Sequence, residues 1–120
     1  MTKAKESSLT LDNTEVLINQ WTGSQSIDYT IPPQYRVSKV EIMYAEDSGG
    51  GLTAHYSDST SGDIIYYVGP HGLHPSGAKV QGSPVTGKRV SRVTGYVTSY
   101  GGKYGSYGVV YLYAVTESWN

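Results

Sequence analysis

Residues 89–116 read RVSRVTGYVTSYGGKYGSYGVVYLYAVT, and how this stretch is parsed decides the fold. Its two ends are rich in valine and tyrosine, residues that suit a pleated, half-buried surface, so strands are predicted at Arg89–Val97 and Val109–Val115. Between them, Tyr100–Gly108 packs three tyrosines, four glycines, one lysine and one serine into nine residues. Glycine admits positive φ and close approach of another group. Tyrosine offers a flat apolar face with a hydroxyl at its tip and loses little entropy on contact. The stretch reads as strand, loop, strand; the plainest alternative for the loop is a hairpin turn whose tyrosines cover a sheet edge.

The second of these strands is apolar on both sides. Val110, Leu112 and Ala114 make one face, and Val109, Tyr111, Tyr113 and Val115 the other. Such a strand is covered on both faces. One side is core; the tyrosine side is expected against a loop, Trp119 or a second subunit.

Working outward, VSKVEIMY at Val37–Tyr44 places Val40, Ile42 and Tyr44 on one face and Lys39 and Glu41 on the other, the alternation of a strand. Further strands are predicted at Glu15–Asn19, Ser26–Ile31, Leu52–Tyr56 and Ile64–Val68, with a brief one at Ala78–Val80. Turns or loops at Trp21–Ser24, Glu46–Gly51, Ser57–Asp63 and Gly69–Pro84 separate them, and Pro32-Pro33 forbids ladder hydrogen bonds. Nowhere do apolar residues recur at helical spacing for three turns. The expectation is all-β: a single-domain antiparallel β-sandwich, jelly-roll-like, of about eight strands. Residues 1–8 are expected as a flexible tail and 9–120 as the sandwich domain.

An internal repeat is also expected. Arg36-Val-Ser-Lys-Val40 and Arg89-Val-Ser-Arg-Val93 lie 53 residues apart, and each leads through a strand into a glycine-rich turn. The two valines of each copy are three apart, so a regular strand points them to opposite faces. A β-bulge at Ser38 and at Ser91 returns both to the core, giving two pseudo-repeated halves.

Composition bounds the function. Net charge is −1, so no global field draws in nucleic acid, and Lys79, Lys88, Arg89, Arg92 and Lys103 form no dense stripe. Without cysteine, disulfides and thiolate zinc sites are excluded. No apolar run approaches the ~20 residues of a membrane span. The N-terminus shows no classical signal peptide, so cytoplasmic location and export by a non-classical route both stay open. Twelve tyrosines, two tryptophans and no phenylalanine favour surfaces with one dry and one wet end.

Catalysis is not expected: no G-x-S-x-G elbow, Walker or Rossmann pattern occurs, and no carboxylate pair for glycoside hydrolysis is identifiable. No cofactor is expected. Calcium, which wants six to eight oxygens, has its candidates in Glu46, Asp47, Asp58 and Asp63. His71 and His74 have a spacing compatible with a metal, with no cysteine and no nearby acidic residue expected to complete the set.

In size, in its Tyr/Gly-rich loop and in lacking a catalytic motif, the chain resembles small bacterial and fungal β-sandwich lectins, without a motif that selects one family. The resemblance implies a non-catalytic carbohydrate-binding protein with glycan partners, its sugar held at one end of the sandwich. The stacking candidates are Tyr100, Tyr104 and Tyr107, then Trp21 and Trp119; Asp47, Asp58, His71 and Lys103 are the hydrogen-bonding candidates. The mark to look for is an exposed aromatic beside a carboxylate. The alternative is a homo-oligomeric structural or toxin-component subunit whose tyrosine-rich face is a protein interface.

Overall fold

A computed structural model describes residues 9–73, 77–99 and 108–119, with side chains described for 14–73, 77–99 and 108–117. The predicted tail, His74, the Tyr100–Tyr107 segment and the Trp119 side chain lie outside this set. Eight strands follow in order: β1 (Leu9–Thr22), β2 (Gln25–Thr30), β3 (Tyr35–Tyr44), β4 (Gly49–Tyr56), β5 (Ser61–Val68), β6 (Ala78–Gly82), β7 (Val90–Thr98) and β8 (Val109–Trp119). They form two four-stranded sheets, β1-β8-β3-β6 and β2-β7-β4-β5, and every ladder is antiparallel. The fold is an all-β sandwich with the strand order of a jelly roll. Because β7 and β8 belong to opposite sheets, they are not the two arms of a hairpin.

Adding four to each strand number, and counting on from β8 to β1, turns the first sheet's order into the second's read backwards. The partners β3 and β7 are the strands that carry the repeated V-S-basic-V text. In β3, Val37 lies opposite Ala114 and Lys39 opposite Tyr113, which leaves Ser38 unpaired in that ladder. In β7, Arg92 lies opposite His55 and Val90 opposite Tyr56, which skips Ser91. Both strands bulge at the serine, as the spacing predicts, and Val37, Val40, Val90 and Val93 are all buried. Ser91 turns its hydroxyl back to donate to the His55 carbonyl at 2.9 Å.

The core lies between the sheets. Val40, Ile42, Val110, Leu112 and Ala114 from the first meet Ile27, Leu52, Ala54, Val93 and Val97 from the second. Inward residues alternate with outward ones, as in aligned sandwiches.

One expectation is corrected. Gly49–Gly51 is not loop but the first part of β4. A Cβ on Gly50 would lie 2.5 Å from the Tyr96 carbonyl oxygen and 2.8 Å from a Val110 methyl, so glycine serves here for close approach within a strand. On the tyrosine side of β8, among the described side chains, Lys79 and Lys39 lie with their ammonium groups 4.9 and 4.8 Å from the ring centres of Tyr111 and Tyr113, while the Trp119 side chain expected there lies outside the described residues. Both lysines also approach Glu41, and Lys39 approaches Glu15 at 3.4 Å. The apolar lysine stems shield the rings while the charges stay wet.

Candidate functional site

The sequence candidates fall in different places. β4 runs from the end that holds Asp47 to the end that holds Asp58, and its eight residues span about 23 Å. Asp58 is occupied there: Thr60 supplies both its hydroxyl and its backbone N–H, and Lys88 stands 3.2 Å away. Those Thr60 hydrogen bonds, with Lys88 behind them, hold its carboxyl down at about 2, which makes it a turn-fixing group. Trp21 packs edge-on against Tyr29, with ring centres 5.7 Å apart, and leans on the core. Tyr100, Lys103, Tyr104 and Tyr107 lie outside the described residues, between Thr98, which is paired with Gly49, and Gly108, which abuts it. Thr98 and Gly108 themselves lie at the Asp47 end.

Asp47 and His71 do come together. His71 Nδ1 and Asp47 Oδ2 are 2.7 Å apart, and the Asp47 hydrogen bond raises the imidazole's affinity for a proton above the ordinary value. Glu46 stands beside them, with Oε2 at 3.8 Å from the same nitrogen. The expectation that no acid accompanies His71 therefore fails. The bridge between Glu46 and Gly69 and the Asp47 N–H bond to the Gly69 carbonyl draw the 45–48 turn against the segment that begins at Gly69.

Sequence reasoning missed the most distinctive feature, a groove of about 270 Å³ on the outer face of the second sheet. Its floor is Gly51, which lies opposite Tyr66 of β5 on one side and Tyr96 of β7 on the other. A Cβ on Gly51 would stand 3.1 Å from the Tyr66 ring, so a side chain here would fill the groove. The two tyrosine rings form its walls, with centres 6.0 Å apart and planes tilted by 51°. Tyr66 is 62% exposed, the most exposed large hydrophobic side chain among the described residues. At the groove's side Asp63 accepts a hydrogen bond of 2.8 Å from Thr53 Oγ1. Beyond lie the His55–Thr94 pair at 2.7 Å and the Arg92–Asp28 fork at 2.8 and 3.0 Å.

Burial, then the adjoining Tyr66 phenol, pushes the Tyr96 hydroxyl up to about 12; at neutral pH it is protonated and able to donate, as any tyrosine is. The groove thus offers two aromatic faces, a carboxylate and hydroxyls that donate or accept. An exposed aromatic beside a carboxylate is present, on a sheet face and not at an end. The signal available in the sequence was the glycine at 51 opening an otherwise β-rich run.

No family model, curated protein or solved structure matches the chain. Fold and groove together define the class: a jelly-roll β-sandwich with an aromatic-walled groove on one sheet. Among the described residues no helix is long and apolar enough to cross a membrane.

Proposed function

We propose that the protein is a non-catalytic carbohydrate-binding protein whose sugar lies in the Tyr66–Tyr96 groove. The observation that carries this reading is Tyr66, an exposed ring that faces a second ring across a glycine floor, with the Asp63 carboxylate alongside. A pyranose has an apolar C–H face and a rim of hydroxyls. The face stacks on an aromatic ring, a contact worth about 1 kcal/mol or more; the hydroxyls donate to Asp63 and exchange hydrogen bonds with Thr53 and the phenols. Bonds to a charged acceptor are the stronger ones and favour a hydroxylated ligand over a purely apolar one.

The test is a glycan array on the wild type, followed by titration of the hits with Tyr66→Ala and with a Tyr104→Ala, Tyr107→Ala double variant. Loss of more than about tenfold in Tyr66→Ala, equivalent to 1.4 kcal/mol, is the expected result. Loss confined to the double variant moves the site to the Tyr/Gly segment. A wild type that binds no glycan overturns the proposal.

The second reading, an assembly subunit, has one observation of its own. Leu17 lies opposite Tyr113 on the outer face of the first sheet and is 45% exposed. A mass in solution several times that of the chain, abolished by Leu17→Lys, is its expected mark.

A further inference from the structure

We infer that Glu46, Asp47 and His71 form a binding site for a zinc-like divalent ion at the end of the sandwich where β3 gives way to β4. Two carboxylates and an imidazole, from chain segments 24 residues apart, bring one donor atom each to within 4.8 Å of one another. A tetrahedral ion with bonds of 2.0–2.2 Å needs its donors about 3.4 Å apart. The two separations at His71 Nδ1, 2.7 Å to Asp47 and 3.8 Å to Glu46, straddle that value. The third separation, between the two carboxylates, is at most 4.8 Å, so side-chain rotations of about an ångström bring all three donors to an ion.

Glu46 supplies an independent argument. It is 8% exposed, and a carboxylate out of water is normally ion-paired or bound to a metal. The one charged partner within ion-pair range among the described residues is the His71 imidazole, whose side chain is 77% exposed. The Gly72 N–H donates to Glu46 Oε2 at 2.6 Å. That bond fixes the carboxylate's direction and leaves further lone pairs for an ion. A divalent cation would supply the balancing charge that a largely hydrated imidazole supplies poorly.

The donor set also selects the ion. Calcium takes six to eight oxygens, whereas imidazole with carboxylates suits zinc and its neighbours. Three protein donors leave a fourth position open to water or a ligand oxygen. Neither β4 nor the Tyr66 groove contributes a donor, so this site and sugar binding stand or fall separately.

The experiment is calorimetric titration of chelator-stripped protein with zinc chloride, for the wild type, His71→Ala, Glu46→Gln and Asp58→Asn. One zinc ion per chain is expected, weakened by more than about tenfold in His71→Ala and Glu46→Gln and unchanged in Asp58→Asn. The His71 side chain is largely in water, so His71→Ala should keep its fold, and its near-ultraviolet circular dichroism checks this. Absence of saturable zinc binding in the wild type overturns the inference. So does full retention of affinity in His71→Ala, or displacement of zinc by equimolar calcium.

Discussion

On the outer face of the first sheet the bulk stands on the central strand. Tyr111 and Tyr113 rise from β8, and lysines from the adjacent β3 and from β6 beyond it lean over them. On the second sheet the topologically equivalent central strand is β4, and it carries Gly51 and Thr53; the tyrosines stand on the flanking β5 and β7. One arrangement is a ridge under charged cover, the other a trough with uncovered walls. Both are built from tyrosine on a four-stranded sheet of the same connectivity. Whether a sheet face binds or seals therefore depends on which strand carries the side-chain volume, a choice the fold leaves open.

Converting the trough into a ridge is the most direct way to break this contrast. Gly51→Leu places a side chain against Tyr66 Cδ1 and the Ile65 carbonyl oxygen, where even a Cβ would lie at 3.1 and 3.2 Å. Glycan binding should fall by more than about tenfold, with overpacking costing about 1–2 kcal/mol of stability in denaturant titration. Binding that survives places the ligand elsewhere.

A smaller effect is expected from dismantling the ridge. Tyr111→Ala removes a half-buried ring and should cost about 1–2 kcal/mol, whereas Lys79→Ala removes only its cover and should cost about 0.5–1 kcal/mol. Both should leave glycan affinity unchanged, and a drop in either would show that the two faces communicate.

The smallest effect concerns alkaline pH. Unfolded tyrosine titrates near 10, while Tyr96 is pushed up to about 12, first by burial and then by Tyr66. Because the folded state holds the proton more tightly, this contribution to stability is complete below about pH 10 and is lost as pH rises through about 12. Tyrosinate absorbance, read as the difference between wild type and Tyr96→Phe, should show the late titration. Tyr66→Phe should move it part of the way back toward 10, because burial remains. An unmoved titration would mean that the Tyr66 phenol is not a cause.

The eight strands and two of their irregularities, the bulges at Ser38 and Ser91, were legible in the sequence. A bulge shows itself when two core valines fall three apart, because alternation along a strand then fails by one residue; V-S-K-V and V-S-R-V state this locally. The groove was not legible for the opposite reason. Gly51, Asp63, Tyr66 and Tyr96 come from three strands, and only the crossed connections of the sandwich make β4 the neighbour of both β5 and β7. The glycines at 49–51 carry the same text whether they serve a turn or a close approach, and a contact across the sandwich decided which. All three members of the acid–histidine cluster were identified singly, but not as a set. Its assembly depends on backbone bonds between the 45–48 turn and Gly69, which no spacing rule anticipates.

The place of β8 bears on how the chain reaches this structure. In the first sheet it lies between β1 and β3, so the earliest-made strands do not touch each other and wait for the last one. Each sheet, moreover, draws two strands from each half of the chain. A nascent chain that emerges from the ribosome as far as β7 holds β1 and β3 with open edges and nothing to join them. Pairings this distant along the chain carry a large loop-closure cost and fold slowly. Closure of the first sheet therefore waits for β8, and until β8 arrives the edges of β1 and β3 that it covers are surfaces for a chaperone or for another unfinished copy.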